Sequence, residues 1–399
     1  NASGYTNGQG GITSADMLTL SAGAVNSSAG FIGAKGAFTA NTQGFSNTAG
    51  GKIIGQAAVT INTNGVTYDN SGGQTQAVGA LTVNAGNIQN VGGLFRSSDT
   101  TTLSAATVNN ANTGGTDQGI EGTNVAISAT NLGNQTGAVR AAQTLTVTGG
   151  GTVDNSAGGL LSAGDTLKIV DPNAANPSAK TLNVVNTGGT LTASNGLQID
   201  AAKFSNDGSF TSGRDMAIAL TQDIVNNRDV SVSGNLTYGT TGHLTNNAKL
   251  LAGQTLTVNG NVVDNTATGE MSGTNTIVNA GTLNNRGLVD SQGNTQVNTG
   301  TLNNIGTGRI YGNAVSISAG TLVNDTETVG GTTTAATIAS RGDLDIGVGN
   351  LTNREHALIF SSGNMAIGGA LDANRKATGQ GGTLDNLSAD IQSLGNMSI

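Results

Sequence analysis

One phrase recurs through these 399 residues at a nearly fixed interval: an apolar residue, any residue, then asparagine. It reads Phe45-Ser46-Asn47, Ile88-Gln89-Asn90, Val108-Asn109-Asn110 and Val153-Asp154-Asn155, and continues with Phe204-Ser205-Asn206. From Asn206 the marker steps through Asn226, Asn246, Asn265, Asn285, Asn304 and Asn324. Asn70, Asn90 and Asn110 keep the same step, which is that of a one-coil repeat of about 20 residues. A period of that length is the signature of a stacked array, in which each unit buries its apolar face against its neighbours.

Between markers the pattern has period two. Leu256 and Val258 alternate with Thr255, Thr257 and Asn259, and Val315 and Ile317 alternate with Ala314, Ser316 and Ser318. That is the alternation of a strand, and no stretch shows a helical period. A unit this short, built of strands alone, cannot enclose a core by itself. Stacked as coils, each paired in parallel to the next at about 4.8 Å, such units make a continuous apolar column. The reading is all-β: a right-handed parallel β-helix, a solenoid of about 20-residue coils.

Composition follows from that architecture. Charged residues are 10%, against about 25% in an ordinary soluble domain. In an in-register stack each side chain sits over its counterpart, and like charges about 5 Å apart repel by roughly 1 kcal/mol even in water. Asn, Thr, Ser and Val columns are tolerated, and stacked asparagines can form hydrogen-bonded ladders. Pro would remove a ladder hydrogen bond, and there are only 2. With 63 Gly at no fixed third position the chain is not collagen, and with no Cys it is no disulfide scaffold. A net charge of −8 and 16 scattered Lys and Arg argue against nucleic acid as a partner. No run of about 18 apolar residues is present to insert in a membrane. No leader is visible at Asn1 and Ile399 falls within the pattern, so the chain reads as a piece of a longer protein.

Three marker intervals are roughly half as long again as the others: Asn155 to Asn186, Asn324 to Asn353 and Asn353 to Asn386. Both prolines lie in the first, in Asp171-Pro172-Asn173-Ala174-Ala175-Asn176-Pro177. These are expected excursions from the shaft, and loops on rigid scaffolds often carry binding. The candidate partner-contact residues are Asp171, Asn173, Asn176, Glu327, Arg354, Arg375 and Lys376. The expected organisation is a regular shaft over 1–324, with a loop near 171–180, and a less regular continuation over 325–399. The structural turn ladder is Asn206, Asn226, Asn246, Asn265, Asn285, Asn304 and Asn324.

Catalytic chemistry finds little support. Asp200, Asp207, Asp215, Asp223 and Asp229 are spaced 7, 8, 8 and 6 apart, so they circle the shaft instead of stacking as a carboxylate pair would. His243 and His356 have no partners at metal-ligand or nucleophile spacing and read as solvated turn residues. Arg341-Gly342-Asp343 spells an integrin-type tripeptide, but Gly342 and Asp343 fill the same slot as Gly363 and Asn364, a turn before a strand. No catalytic, cofactor-binding or metal-ligating residue is expected.

The units Gly281-Thr282-Leu283-Asn284-Asn285-Arg286-Gly287, Gly300-Thr301-Leu302-Asn303-Asn304 and Gly320-Thr321-Leu322-Val323-Asn324 resemble the repeats of filamentous haemagglutinin-like exoproteins. The stretch from Leu351-Thr352-Asn353-Arg354-Glu355-His356 to Ala370-Leu371-Asp372 more particularly resembles contact-dependent growth inhibition effectors. The resemblance implies a two-partner secretion filament tethered to the outer surface of a Gram-negative bacterium. It implies an outer-membrane transporter, engaged through a domain not seen in this chain, and an outer-membrane receptor on target bacteria. It implies the region after 324 as the start of target recognition. An adhesin binding host cells or matrix is the second reading. A polysaccharide-cleaving β-helix enzyme is the third.

Overall fold

The computed structural model describes residues 2–205 and 207–399. They are almost entirely strand and turn. The only helical segment among the described residues is the 3-10 turn Pro177–Ala179. Two compact units, Asn1–Gly213 and Arg214–Ile399, are each a parallel β-solenoid, and together they hold about 18 turns. Compactness therefore divides the chain well before 324, and the coils run through 324 and 325 in unbroken register.

In the first unit a coil has three strands. Lys52–Gly55, Val59–Asn62 and Tyr68–Asp69 form one coil, and Gln74–Ala77, Leu81–Asn84 and Asn87–Gln89 form the next. Each strand pairs in parallel with its counterpart: Lys52 with Gln74, Val59 with Leu81, Tyr68 with Ile88. Ten of the first strands, from Gly11–Ser14 to Ser209–Ser212, make a separate sheet. In the second unit the corners soften. Lys249–Asn265 and Glu270–Asn285 are continuous strands of 17 and 16 residues, with one register shift, between Ala252 and Thr255.

The period-two alternation sends every second side chain inward, where it stacks on the same slot of the adjacent coil. Leu244, Val263, Leu283, Leu302, Leu322 and Leu351 make one such column, all fully buried. Burying each such side chain contributes about 1.5–3 kcal/mol.

Two residues beyond that column lies the marker asparagine, and it too points inward. The amides form two ladders, buried except at the final rung, Asn386. In the first unit Nδ2 of Asn47 donates to Oδ1 of Asn70 (2.9 Å), and the pattern repeats through Asn90, Asn110, Asn134, Asn155 and Asn186 at 2.7–2.8 Å. In the second it runs from Asn226 through Asn246, Asn265, Asn285, Asn304, Asn324 and Asn353 to Asn386 at 2.8–2.9 Å. Asn206 lies outside the described residues. These asparagines do not themselves occupy the left-handed backbone region. In the first unit the residue two positions later does, as at Ala49, Gly72, Gly92, Thr136, Ala157 and Gly188; in the second this holds at Gly306, Glu355 and Ser388. Asparagine is thus fixed by its amide, which both donates and accepts along the stack.

Two tyrosines, Tyr68 and Tyr238, are buried among the aliphatics. Tyr68 is fully buried, and its hydroxyl donates to Thr75 Oγ1 (2.6 Å), which in turn donates to Asn70 Oδ1 (3.0 Å). Burial pushes the phenol well above its ordinary pKa, with the Thr75 bond opposing. Thr75→Val is expected to orphan the hydroxyl and cost about 1–3 kcal/mol. Adding Tyr68→Phe should recover most of that loss, so urea midpoints of the two single variants and the double will show strong non-additivity.

Candidate functional site

The three long intervals are excursions, as their spacing implies, and each is tied down by charge. The first leaves the coil after Thr166–Val170 and returns at Asn183–Val185. Asp171, expected as a partner contact, is instead fully buried at the loop's base. Its carboxylate accepts N–H bonds from Asn173 (2.8 Å), Thr181 (2.7 Å) and Leu182 (2.7 Å). Lys180, whose side chain is nearly buried, pairs with Asp200. Asn173 and Asn176 do face solvent at the tip.

Burial acts to raise the Asp171 pKa, but the N–H groups of Leu182, Asn173 and Thr181 outweigh it and hold the carboxyl below its ordinary range. A depressed acid stabilises the folded loop above the unfolded pKa of about 3.9, and that stability is lost as pH falls through the folded value. Limited proteolysis within 172–180 is expected to stay slow at neutral pH and accelerate below about pH 4. Asp171→Asn, which keeps only one acceptor oxygen, should be cleaved quickly at every pH.

The second excursion is an antiparallel hairpin in which Thr326 pairs with Ala335 and Val329 with Thr332. Glu327 turns back two coils to Arg286, which donates Nε to Oε2 (2.8 Å) and Nη2 to Oε1 (2.9 Å). This fork holds the Glu327 carboxyl below its usual range. Beside it, exposed Arg354 reaches the buried Asp325 at 2.7 Å. Both candidates are therefore already engaged within the chain.

The third excursion is the hairpin Ala370–Leu371 with Ala377–Thr378. It folds back along its own unit. Lys376 bridges Asp343 (3.3 Å) and the buried Asp345 (3.0 Å). Arg375 lies half-buried, with Nε on Ser316 Oγ (2.6 Å), Nη1 on Asn298 Oδ1 (2.8 Å) and Nη2 on the Ser316 carbonyl (3.2 Å). Between hairpin and shaft is a cavity of about 400 Å³.

The tripeptide at 341–343 is consumed in the same way. Arg341 reaches back to the Ser291 carbonyl (3.0 Å) and Asp290 (3.3 Å), and Asp343 accepts the Asn364 N–H (3.0 Å). That N–H, with Lys376, holds the Asp343 carboxyl below its ordinary range against partial burial.

Several contacts escaped the sequence. His243, expected without a partner, has Nε2 at 2.7 Å from Asp264 Oδ2, and Asp264 in turn caps a surface ladder through Asn284 (2.7 Å) and Asn303 (2.8 Å). Asp215, Asp223 and Asp229 each accept a backbone N–H one coil on, from Asn235, His243 and Lys249. They serve as corner caps where the strand ladder lapses, and the one-coil interval could have found them. Arg96, Glu121 and Arg140 stack on successive coils with alternating sign, at 2.7 and 3.3 Å, as the rule against like-charge columns requires. His356 is exposed, its backbone N–H donated to the Ser388 carbonyl. Among the described residues no group of three or more His, Cys, Asp or Glu could hold a metal ion, and no helix is long and apolar enough to cross a membrane.

The family model for the haemagglutinin repeat matches residues 1–67, 55–135, 123–170, 173–237 and 346–399, well over half of the chain. The chain belongs to the haemagglutinin-repeat family. The matches leave 238–345 uncovered, yet that stretch stacks as the same parallel coil, with Leu256 over Leu236 and Val315 over Thr295. Comparison with curated proteins and with solved structures gave no match. Haemagglutinin repeats are typical of secreted cell-surface proteins, so the chain reads as part of a filamentous haemagglutinin-like exoprotein shaft.

Proposed function

We propose that this chain is the shaft segment of a contact-dependent growth inhibition effector and that it has no enzymatic activity of its own. In this reading it is secreted by a two-partner transporter and tethered to the outer surface of a Gram-negative cell. It carries a receptor-binding region and toxin toward neighbouring bacteria. The observation that carries a mechanical role is the unbroken amide ladder from Asn226 to Asn386: the coil continues past both excursions of the second unit, as a spacer must. The bacterial target is supported by the resemblance of the stretch 351–372 to that effector group.

Deleting residues 325–399 from the secreted protein and measuring binding to bacterial and host cells separates this reading from the adhesin. Loss of bacterial binding alone supports the effector. Loss of host-cell binding alone, or release of oligosaccharide from a polysaccharide panel by the intact chain, overturns it.

A further inference from the structure

The cavity under the third hairpin gathers several unengaged polar groups. A guanidinium has five N–H donors. Arg375 spends three of them on neutral acceptors, namely Ser316 Oγ, Asn298 Oδ1 and the Ser316 carbonyl. That leaves two N–H groups, one on Nη1 and one on Nη2, which is the geometry of a fork for a planar anion. Arg96, Arg286, Arg341 and Arg354 each satisfy their charge on a carboxylate within the chain. Arg375 pairs with no carboxylate among the described residues, since Asp343 and Asp345 are taken by Lys376.

The remaining wall is amide-rich. Asn294, Gln296 and Asn374 line the same cavity, and their side-chain amides make no hydrogen bond among the described residues. No aromatic ring lines it, so nothing favours a flat apolar ligand. Amides offer a donor and an acceptor each, which is what hydroxyl groups need. Burial depresses the Arg375 pKa, the expected mark of a cation held where counter-charge is short.

We infer that this cavity is a binding site for a carboxylate-bearing monosaccharide unit, a hexuronate, held by the Arg375 fork through its carboxylate and by Asn294, Gln296 and Asn374 through its hydroxyls. The volume of about 400 Å³ accommodates one or two sugar rings. Asp345 on the wall favours a singly charged carboxylate over a doubly charged phosphate.

The test uses the full chain labelled with 15N-arginine. The Nε–Hε resonance of Arg375, assigned by its loss in Arg375→Lys, is followed during titration with glucuronate, glucose, acetate and inorganic phosphate. A saturable shift with glucuronate is expected, with at least about tenfold weaker response to glucose and to acetate, which each lack one half of the recognition. Gln296→Glu, which leaves the three anchoring bonds of Arg375 in place, should weaken glucuronate at least about tenfold by facing it with a second carboxylate. No saturable shift with glucuronate, an equal response to glucose or acetate, tighter binding of phosphate, or full retention of binding in Gln296→Glu each overturns the assignment.

Discussion

Asn285→Asp is expected to destabilise the second unit by roughly 4–6 kcal/mol at pH 7, and Asn285→Ala by roughly 2–4 kcal/mol, from about 1–3 kcal/mol for each buried group left unsatisfied and more where charge is involved. The wild-type amide is fully used. Its oxygen accepts from Asn265 (2.8 Å), and its two N–H bonds go to Asn304 Oδ1 (2.8 Å) and the Arg309 carbonyl (3.3 Å). Alanine removes both donors and leaves two buried acceptors without partners. Aspartate does the same and places an ionised carboxylate against them.

The two variants are distinguished by pH. Burial and facing acceptors raise the folded pKa of an aspartate at this position above its unfolded value of about 3.9. The folded state then binds the proton more tightly, so the penalty is full above the folded pKa and recedes as pH falls toward the unfolded one. A protonated carboxyl can also donate one of the two missing bonds. Urea midpoints at pH 7 and pH 5 should show Asn285→Asp gaining on Asn285→Ala as pH drops. Equal midpoints of the two variants at both pH values would mean that the aspartate places no buried charge against the ladder acceptors.

What the sequence made legible was whatever repeats. The coil, the inward aliphatic slot, the asparagine slot and the three excursions all follow from the one-coil period, because a stacked array converts sequence period directly into contact. Aspartates one coil away from the N–H groups they cap belong to the same class and were readable in principle. Contacts made where the chain leaves the repeat were not. Asp171 looks like any polar loop residue until the returning Thr181 and Leu182 N–H groups are seen to converge on it. Arg375 reaches Asn298, 77 residues back, because its hairpin folds against the shaft. Nothing in a coil period encodes the direction in which a hairpin leans.

Two adjacent glycines carry opposite expectations, and they test the spacing of the coils. Gly188 has a left-handed φ of +68°, and a Cβ there would meet nothing within 4 Å. Other coils put alanine in the same slot, at Ala29, Ala49 and Ala157 with φ of 53–54°. Gly188→Ala should therefore cost only the left-handed backbone term, about 1–2 kcal/mol. At Gly189 a Cβ would lie 1.8 Å from the carbonyl oxygen of Asn155 on the preceding coil and 2.6 Å from Asn186 Oδ1. Neither neighbour can give way: one is backbone, and the other is the amide rung that continues the ladder. The coil must open at this corner or the ladder must break, so Gly189→Ala is expected to cost about 3 kcal/mol or more. The same crowding meets Gly73 under Asn47 and Gly137 under Asn110. The coil of Asn110 has Thr113 in this slot instead, and there the chain departs from the strand ladder through 114–118 before re-entering it at Gly119. Urea midpoints of the two alanine variants should differ by well over the width set by measurement error. If they coincide, the close approach of the Asn155 carbonyl is not what reserves this slot for glycine.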